Sequence, residues 1–476
     1  MKFESPQHHF HNNWHLAALV SITLLAIWLR FKGLIFQSYW LDEMASLYLA
    51  HPGNTILEVL NSALKDNTTP LYQLVLWLWF KLFGLTEYSG RSLSAFFGVC
   101  SVIAMYYLGK EYINTRAGMF ASAITCTNQY LIYYSQEVRS YQLLFLLTAL
   151  TLLFLSRLLR LKNGREFYIY TVLCVCLIQT HYYGILIYYA QAIIIVLYAY
   201  ARNSRDLIIR KYFWINAAIT IISLLPALPY LIKGALRKSF WIKTPAPDFY
   251  IDYFIEYFVN KELALLFALL CLLGLIHVYR NVDTRQKNIF YLTLTFLFFI
   301  YLLPYARSVI STPMLVNRYT IGILPIIILL ACSGLELINS RKTGLYLCVF
   351  IFLFSLGLIF IKNDYYHQIK KEQYREALQI ITATDNEAIV FCYYNRGLVV
   401  YADVLGYDLD IRKNTQDTLN ELKAGTFWFI AWYDNKDEWE YLLDDQFRFI
   451  DRNDIRLVKS IQKHKLRVLQ YELNTG

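Results

Sequence analysis

LAALVSITLLAIWLRFKGLIF, residues 16–36, is long enough to cross the hydrocarbon core of a bilayer. A spanning helix needs about 20 consecutive, mostly apolar residues. Runs of the same kind recur at 291–305 and 345–361. Across all 476 residues, 57% are hydrophobic. Soluble domains average about 45–50%, and a soluble core of this length has no room for the excess. Many of the 40 Tyr sit at the ends of apolar runs, where an interfacial belt places them.

The net charge of +10 does not indicate nucleic-acid binding, because the Lys and Arg are dispersed through short loops between apolar runs. Seven of the eight cysteines (Cys100, Cys126, Cys174, Cys176, Cys271, Cys332 and Cys348) lie in apolar segments, as small packing residues do.

Outward from the first run, spanning segments are expected at 16–36, 91–108, 117–134, 141–158, 166–181, 184–201, 212–232, 262–279, 288–305, 316–336 and 343–362. The expected fold is mostly α, a polytopic bundle of about 11 spans. Residues 70–83 are apolar but shorter and carry Lys81. Loop charges decide their placement. Five loops are basic: Lys110 and Arg116; Arg157, Arg160, Lys162 and Arg165; Arg202, Arg205, Arg210 and Lys211; Arg280, Arg285 and Lys287; Arg341 and Lys342. The positive-inside rule assigns all five to the cytoplasm. The loop before Arg91 and the segment holding Asp42 then both lie outside only if 70–83 does not cross, so 70–83 reads as an interfacial helix.

The same register puts 233–261 outside, and everything after about 363. In that tail, apolar β-like runs at 388–394, 426–433 and 466–473 alternate with helical patterns at 373–383 and 439–447. We expect a membrane domain over 1–362, with its catalytic outer loop at 37–90, and a small extracytoplasmic α/β domain over 363–476. The implied location is the inner (plasma) membrane.

Ionisable groups at membrane depth cost several kcal/mol and point to function. Here they collect at the outer helix ends. Asp42 and Glu43 follow the first span in Tyr39-Trp40-Leu41-Asp42-Glu43. Asn67-Thr68-Thr69-Pro70-Leu71-Tyr72 follows Lys65 and Asp66. Arg91 opens the next span. Glu137 and Arg139 lie in Tyr134-Ser135-Gln136-Glu137-Val138-Arg139-Ser140-Tyr141, His181 in Thr180-His181-Tyr182, and Arg318 and Tyr319 in Asn317-Arg318-Tyr319. The expected whole is a carboxylate-and-arginine pocket open to lipid. A carboxylate serves as general base on a hydroxyl or amine, and arginines bind phosphate in bidentate fashion. The pairing suits displacement of a phosphate from a sugar. Taken singly, each residue also has a plain reading: Asp42 and Glu43 as a helix start, Arg139 as an interfacial cation, His181 as a turn residue.

Three of these stretches, Leu41-Asp42-Glu43, Asn67-Thr68-Thr69-Pro70-Leu71-Tyr72 and Tyr134-Ser135-Gln136-Glu137-Val138-Arg139-Ser140-Tyr141, together with Gly90-Arg91-Ser92-Leu93-Ser94-Ala95-Phe96-Phe97-Gly98, occur in an order that resembles the GT-C superfamily of membrane glycosyltransferases, and Asn317-Arg318-Tyr319 matches a weaker family feature. The likeness is to the glycosyltransferase family 39 type, related to protein O-mannosyltransferases and the lipid A aminoarabinose transferase. It covers about residues 15–340. It implies inverting transfer of a hexosyl or pentosyl group from a polyprenyl-phosphate sugar to a glycan, lipid or protein acceptor of the cell envelope. Asp42 carries the base role over from the family, and Glu43 supports it. Arg91, Arg139 and Arg318 hold the donor phosphate or brace the carboxylates, with Glu137, His181 and Tyr319 lining the substrate site. The chain departs from the family at Thr68-Thr69-Pro70, where a His or Lys before two prolines is common. The metal is unknown: some relatives bind a divalent ion, and no ligand set here points to one.

Other classes fit less well. A flippase or polymerase of lipid-linked glycans would share the lipid handling, but a polymerase should carry a large outer loop, and 233–261 is short. A secondary transporter should hold its charges near the midplane of broken helices. A receptor would leave the charged cluster unexplained. The basic residues Lys233, Arg237, Lys238 and Lys243, with Phe240 and Trp241, suggest a mobile cover over a lipid phosphate.

Overall fold

The computed structural model describes residues 14–473, apart from 67, 202–205, 236–241, 281–282, 339, 415–417, 419–420, 423–424 and 433–454. Arg237, Lys238, Phe240 and Trp241 of the expected cover, and the helical pattern at 439–447, therefore lie outside the described residues.

Among the described residues, eight helices are long and apolar enough to cross a membrane: Glu87–Tyr112, Tyr141–Leu161, Tyr182–Tyr200, Leu207–Gly234, Lys261–Arg280, Arg285–Ile310, Asn317–Glu336 and Lys342–Lys362. The chain is a multi-pass helical membrane protein with a small C-terminal sheet. The remaining expected spans are shorter helices. Trp14–Phe31 has 18 residues and Gly164–Ile178 has 15. The segment expected at 117–134 is divided into Thr115–Thr127 and Gln129–Ser135. Asn128 divides it. Its backbone is extended, and its Oδ1 accepts from Leu131 N at 2.9 Å, capping the second helix. Its Nδ2 donates to Tyr257 O at 2.9 Å.

Two compact units make up the chain. The first comprises Met1–Lys32, Leu60–Val75 and Ser92–Asp364. Between spanning helices there is no hydrophobic drive in lipid, so close backbone packing must supply the attraction. Gly274 and Gly334 provide it. A Cβ on Gly274 would stand 2.0 Å from Leu330 O, and one on Gly334 would stand 2.1 Å from Leu270 O.

The second unit comprises Gly33–Val59, Leu76–Arg91 and Tyr365–Gly476. Its sheet has the order β2-β1-β3-β5-β4, with β1 Ile389–Cys392, β2 Asp410–Lys413, β3 Gly425–Trp432, β4 Ile455–Lys463 and β5 Leu466–Leu473. β1 is parallel to β2 and to β3, while β5 is antiparallel to β3 and β4. Helices Tyr374–Thr384 and Asn395–Leu405 flank β1 in sequence. Phe391, Phe427, Phe429, Ala431, Leu469 and Tyr471 form the core. The three apolar runs read in the tail are the strands β1, β3 and β5. β2 and β4 were not legible as strands. They are the sheet edges, where charged residues such as Arg412, Arg456 and Lys459 blunt an otherwise open hydrogen-bonding edge.

Helix Pro70–Phe83 has 14 residues. At 1.5 Å per residue it is about 21 Å long, short of the ~30 Å hydrocarbon core.

Candidate functional site

In the second unit, the short helix Leu41–Leu49 carries both acidic residues in its first turn. Trp40 precedes it with no side-chain capping bond, so tertiary bonds must set its direction. Glu43 supplies them. It is buried, and its Oε1 accepts from Arg91 Nε at 2.9 Å while its Oε2 accepts from Arg91 Nη2 at 2.8 Å. A second cation, the buried Lys371, donates from Nζ to Oε2 at 3.0 Å. Asp42, one position earlier, is half-buried.

Arg91 has five N–H donors, as any guanidinium does, and all five are taken. Besides the two bonds to Glu43, Nη1 donates to Leu34 O and Gln37 O, each at 2.7 Å, and Nη2 to Ser38 O at 3.0 Å. Arg375 takes the two carbonyls that remain in that stretch, from Nη1 to Ile35 O at 2.9 Å and from Nη2 to Phe36 O at 3.0 Å. Five successive carbonyls, from Leu34 to Ser38, thus end on two guanidiniums. Arg375 also pairs with Glu87 at 2.8 Å, and the Tyr401 hydroxyl donates to Glu87. The segment entering Asp42 is clasped rather than loose. Of the two roles expected of Arg91, phosphate holder or brace, this geometry is that of a brace.

In the first unit, the stretches picked out in sequence interlock. Tyr72 Oη and Ser94 Oγ are 3.0 Å apart, and Ser94 Oγ lies 3.4 Å from Arg139 O. Gly98 has no space for a side chain, since a Cβ there would meet Ser135 Oγ at 2.2 Å and Arg30 Nε at 2.7 Å. Arg30 is buried and donates to Thr125 O and Cys126 O at 2.9 and 3.1 Å. Gln136 Nε2 returns to Arg30 O and Lys32 O at 3.0 and 2.7 Å. These bonds fix the turn that carries Glu137, which is buried, and Arg139, which is half-buried and donates from its backbone N to Glu137 O at 2.8 Å.

Around Arg139 stands an aromatic group. His181 lies 4.9 Å from the Tyr319 ring and 5.9 Å from those of Tyr141 and Tyr183. The guanidinium of Arg139 stands 5.8 Å from the Tyr141 ring, and that of Arg318 stands 5.7 Å from Tyr319. His181 occupies the turn between Gly164–Ile178 and Tyr182–Ala201. Its Nδ1 accepts from Tyr183 N at 3.2 Å, which leaves the ring proton on Nε2. Burial, helped by the charges of Arg139 and Arg318, holds the imidazole down to about 3. It is a neutral donor at neutral pH. Desolvation raises the pKa of Glu256, with Arg318 opposing the rise. Two cations and one neutral N–H donor, set among Tyr rings, suit an anion. The apolar helices also form a cleft of about 770 Å³, lined by Phe249, Phe254, Leu265, Leu297, Tyr301 and Tyr305 among others, with Lys261 as its cation.

The structure therefore brings Glu43 and Arg91 together beside Asp42, and gathers Arg139, His181, Arg318 and Tyr319 in the other unit. Sequence reasoning missed Lys371, Arg375, Glu87 and Glu256. No local signal marks the first two, which sit in a charged stretch like any solvated tail. Among the described residues no three His, Cys, Asp or Glu side chains converge as metal ligands do.

Residues 67–231 match the family model of dolichyl-phosphate-mannose-protein mannosyltransferases. The fold just described is similar to that of solved membrane proteins. In particular, the chain is similar to ArnT from Cupriavidus metallidurans in the apo state, at TM-score 0.60 and 11% identity over 97% of this chain and 98% of that one. The same protein bound to undecaprenyl phosphate aligns at TM-score 0.57 and 11% identity, over 96% and 98%. An Archaeoglobus fulgidus oligosaccharyltransferase tethered to an acceptor peptide containing the NVT sequon aligns at TM-score 0.50 and 11% identity, over 83% of this chain and 63% of that one. No curated protein matches the chain in sequence.

Proposed function

We propose that the chain transfers a sugar from a polyprenyl-phosphate carrier to a cell-envelope acceptor on the outer face of the membrane, with inversion and with Asp42 as general base. One observation carries this reading: of two adjacent carboxylates, Glu43 has both oxygens committed to buried cations, while Asp42 keeps partial exposure. Glu43 then serves as the anchor and Asp42 as the group that meets the acceptor. Displacement of phosphate from the anomeric carbon is in-line, so a single carboxylate suffices as base, and the phosphate leaves without an acid as strong as an alkoxide would need.

Arg139 and Arg318, with the Nε2–H of His181 and with Tyr319 alongside, take the phosphate. This follows from the charge they share around His181 and from the fit of guanidinium to phosphate. The cleft between Phe249 and Tyr305, about 770 Å³ and lined mostly by apolar side chains, suits an isoprenoid tail. Binding of undecaprenyl phosphate by ArnT, which shares the fold, supports the same donor class here. The basic loops support the outer placement.

The test is transfer by the purified chain in nanodiscs, with a polyprenyl-phosphate sugar and envelope acceptors. Surface glycans compared by mass spectrometry with and without the protein identify the acceptor. Turnover with a nucleotide sugar and no lipid carrier would remove the donor assignment.

A further inference from the structure

Lys371 is a buried cation far along the chain, in the irregular stretch that precedes helix Tyr374–Thr384. Nothing in the proposed chemistry uses it. Burying an ammonium is costly unless it is paired and hydrogen-bonded, and its partner is Glu43 Oε2 at 3.0 Å. Its backbone is pinned as well. Gln37 Oε1 accepts from Lys370 N at 3.1 Å and from Lys371 N at 3.3 Å, and Gln37 Nε2 donates to Gln368 O at 2.7 Å. Gln37 O is meanwhile one of the carbonyls on Arg91. The circuit closes: Arg91 holds Glu43 and the 34–38 segment, Gln37 holds the Lys371 backbone, and the Lys371 side chain returns to Glu43.

We propose that Lys371 is a positioning residue for the transfer reaction, acting through Glu43 to set the direction of the helix that carries Asp42. The inference rests on Asp42 being the base. Arg91 alone pins Glu43 on one edge of its carboxylate plane. Lys371 adds a bond to Oε2 outside that fork, so the carboxylate cannot swing about the Arg91 axis. Asp42 precedes Glu43 by one residue of the same helix, and a shift of about 1 Å at a reacting group can cost about 10²-fold in rate. The segment that follows the last spanning helix thus contributes to the active centre without touching substrate.

Lys371→Met keeps the aliphatic stem and removes the charge, leaving the Arg91 pair in place so that the chain still folds. Lys371→Arg restores a cation. Two measurements on the full-length protein decide the matter. Hydrogen exchange over residues 38–50 is expected to quicken in Lys371→Met and return towards the original in Lys371→Arg. Under transfer conditions, kcat is expected to fall about 10–100-fold in Lys371→Met, with donor KM changed less than about 3-fold and partial recovery in Lys371→Arg. Unchanged exchange would overturn the clamp. Quickened exchange with unchanged kcat would leave Lys371 a mere structural staple and overturn the positioning role. An unaltered chain that fails to transfer from a polyprenyl-phosphate sugar would overturn the functional reading itself, whereas exchange needs no substrate and judges the clamp independently.

Discussion

Glu43 and Arg91 meet through two parallel bonds of 2.9 and 2.8 Å, both side chains withdrawn from solvent. Removing one member of such a pair strands the other charge, at a cost of about 3–5 kcal/mol. Arg91→Ala is therefore expected to lower the thermal midpoint and to reduce folded yield, and Glu43→Gln to do the same by stranding two cations. Size-exclusion profiles and thermal melts of both variants check this. Well-folded, fully stable Arg91→Ala protein would show that the pair is not what holds the 34–38 segment.

Asp42→Asn is expected to behave differently. Its side chain is half-exposed, so the protein should fold and melt as before while the rate falls about 10²–10⁴-fold, the range for loss of a general base. Near-normal turnover in Asp42→Asn together with an inactive but folded Glu43→Gln would move the base to Glu43. Activity in both would end the carboxylate-base mechanism.

Arg139→Ala and Arg318→Ala should act on the donor. A hydrogen bond to a charged group contributes about 1.5–3 kcal/mol, so donor KM should rise about 10–100-fold in each, with a smaller change in kcat. Steady-state kinetics at varied donor concentration separates the two. A pure kcat loss at unchanged KM would argue that these cations serve the base rather than the phosphate.

His181 gives a pH signature. Its folded value of about 3 lies below its ordinary 6.5, so between those pH values the unfolded chain binds more protons. Stability then falls as pH is lowered through that window, and rises as pH is raised through it. Thermal melts from pH 7 to pH 4 should show a shallower decline in His181→Gln than in the original protein. Equal slopes would mean that His181 is not held neutral.

Membrane sidedness is open to labelling. Glu87 is tied to Arg375 and Tyr401, so a cysteine is better placed at the exposed Tyr88, and a second at the exposed Tyr393. Both are expected to react with an impermeant thiol reagent from the outer side. Reaction of Tyr88→Cys from the cytoplasm alone would mean that Pro70–Phe83 crosses the membrane.

Spanning helices were legible in the sequence because they are local facts: a run of about 20 unsolvatable residues dictates a helix whatever else the chain does. The apolar strands β1, β3 and β5 were legible for a similar reason. So were Asp42, Arg91, Arg139 and Arg318 as candidates, since an ionisable group at the end of such a run stands out against its neighbours. Pairing is not local. Lys371 and Glu43 lie 328 residues apart, and nothing in a charged tail marks which lysine will be buried. The unequal fates of Asp42 and Glu43, adjacent and alike in sequence, arise from where Arg91 and Lys371 come to rest. The break at Asn128 depends on Tyr257 O being there to accept its amide, and the neutrality of His181 depends first on burial and then on two arginines that only folding brings beside it. The sequence by itself determined which segments leave water and which side chains have the chemistry for phosphate and proton transfer. The tertiary structure alone decided which of those charges are satisfied by one another, because the energy of a buried charge is set by its neighbours in space and not by its neighbours in the chain.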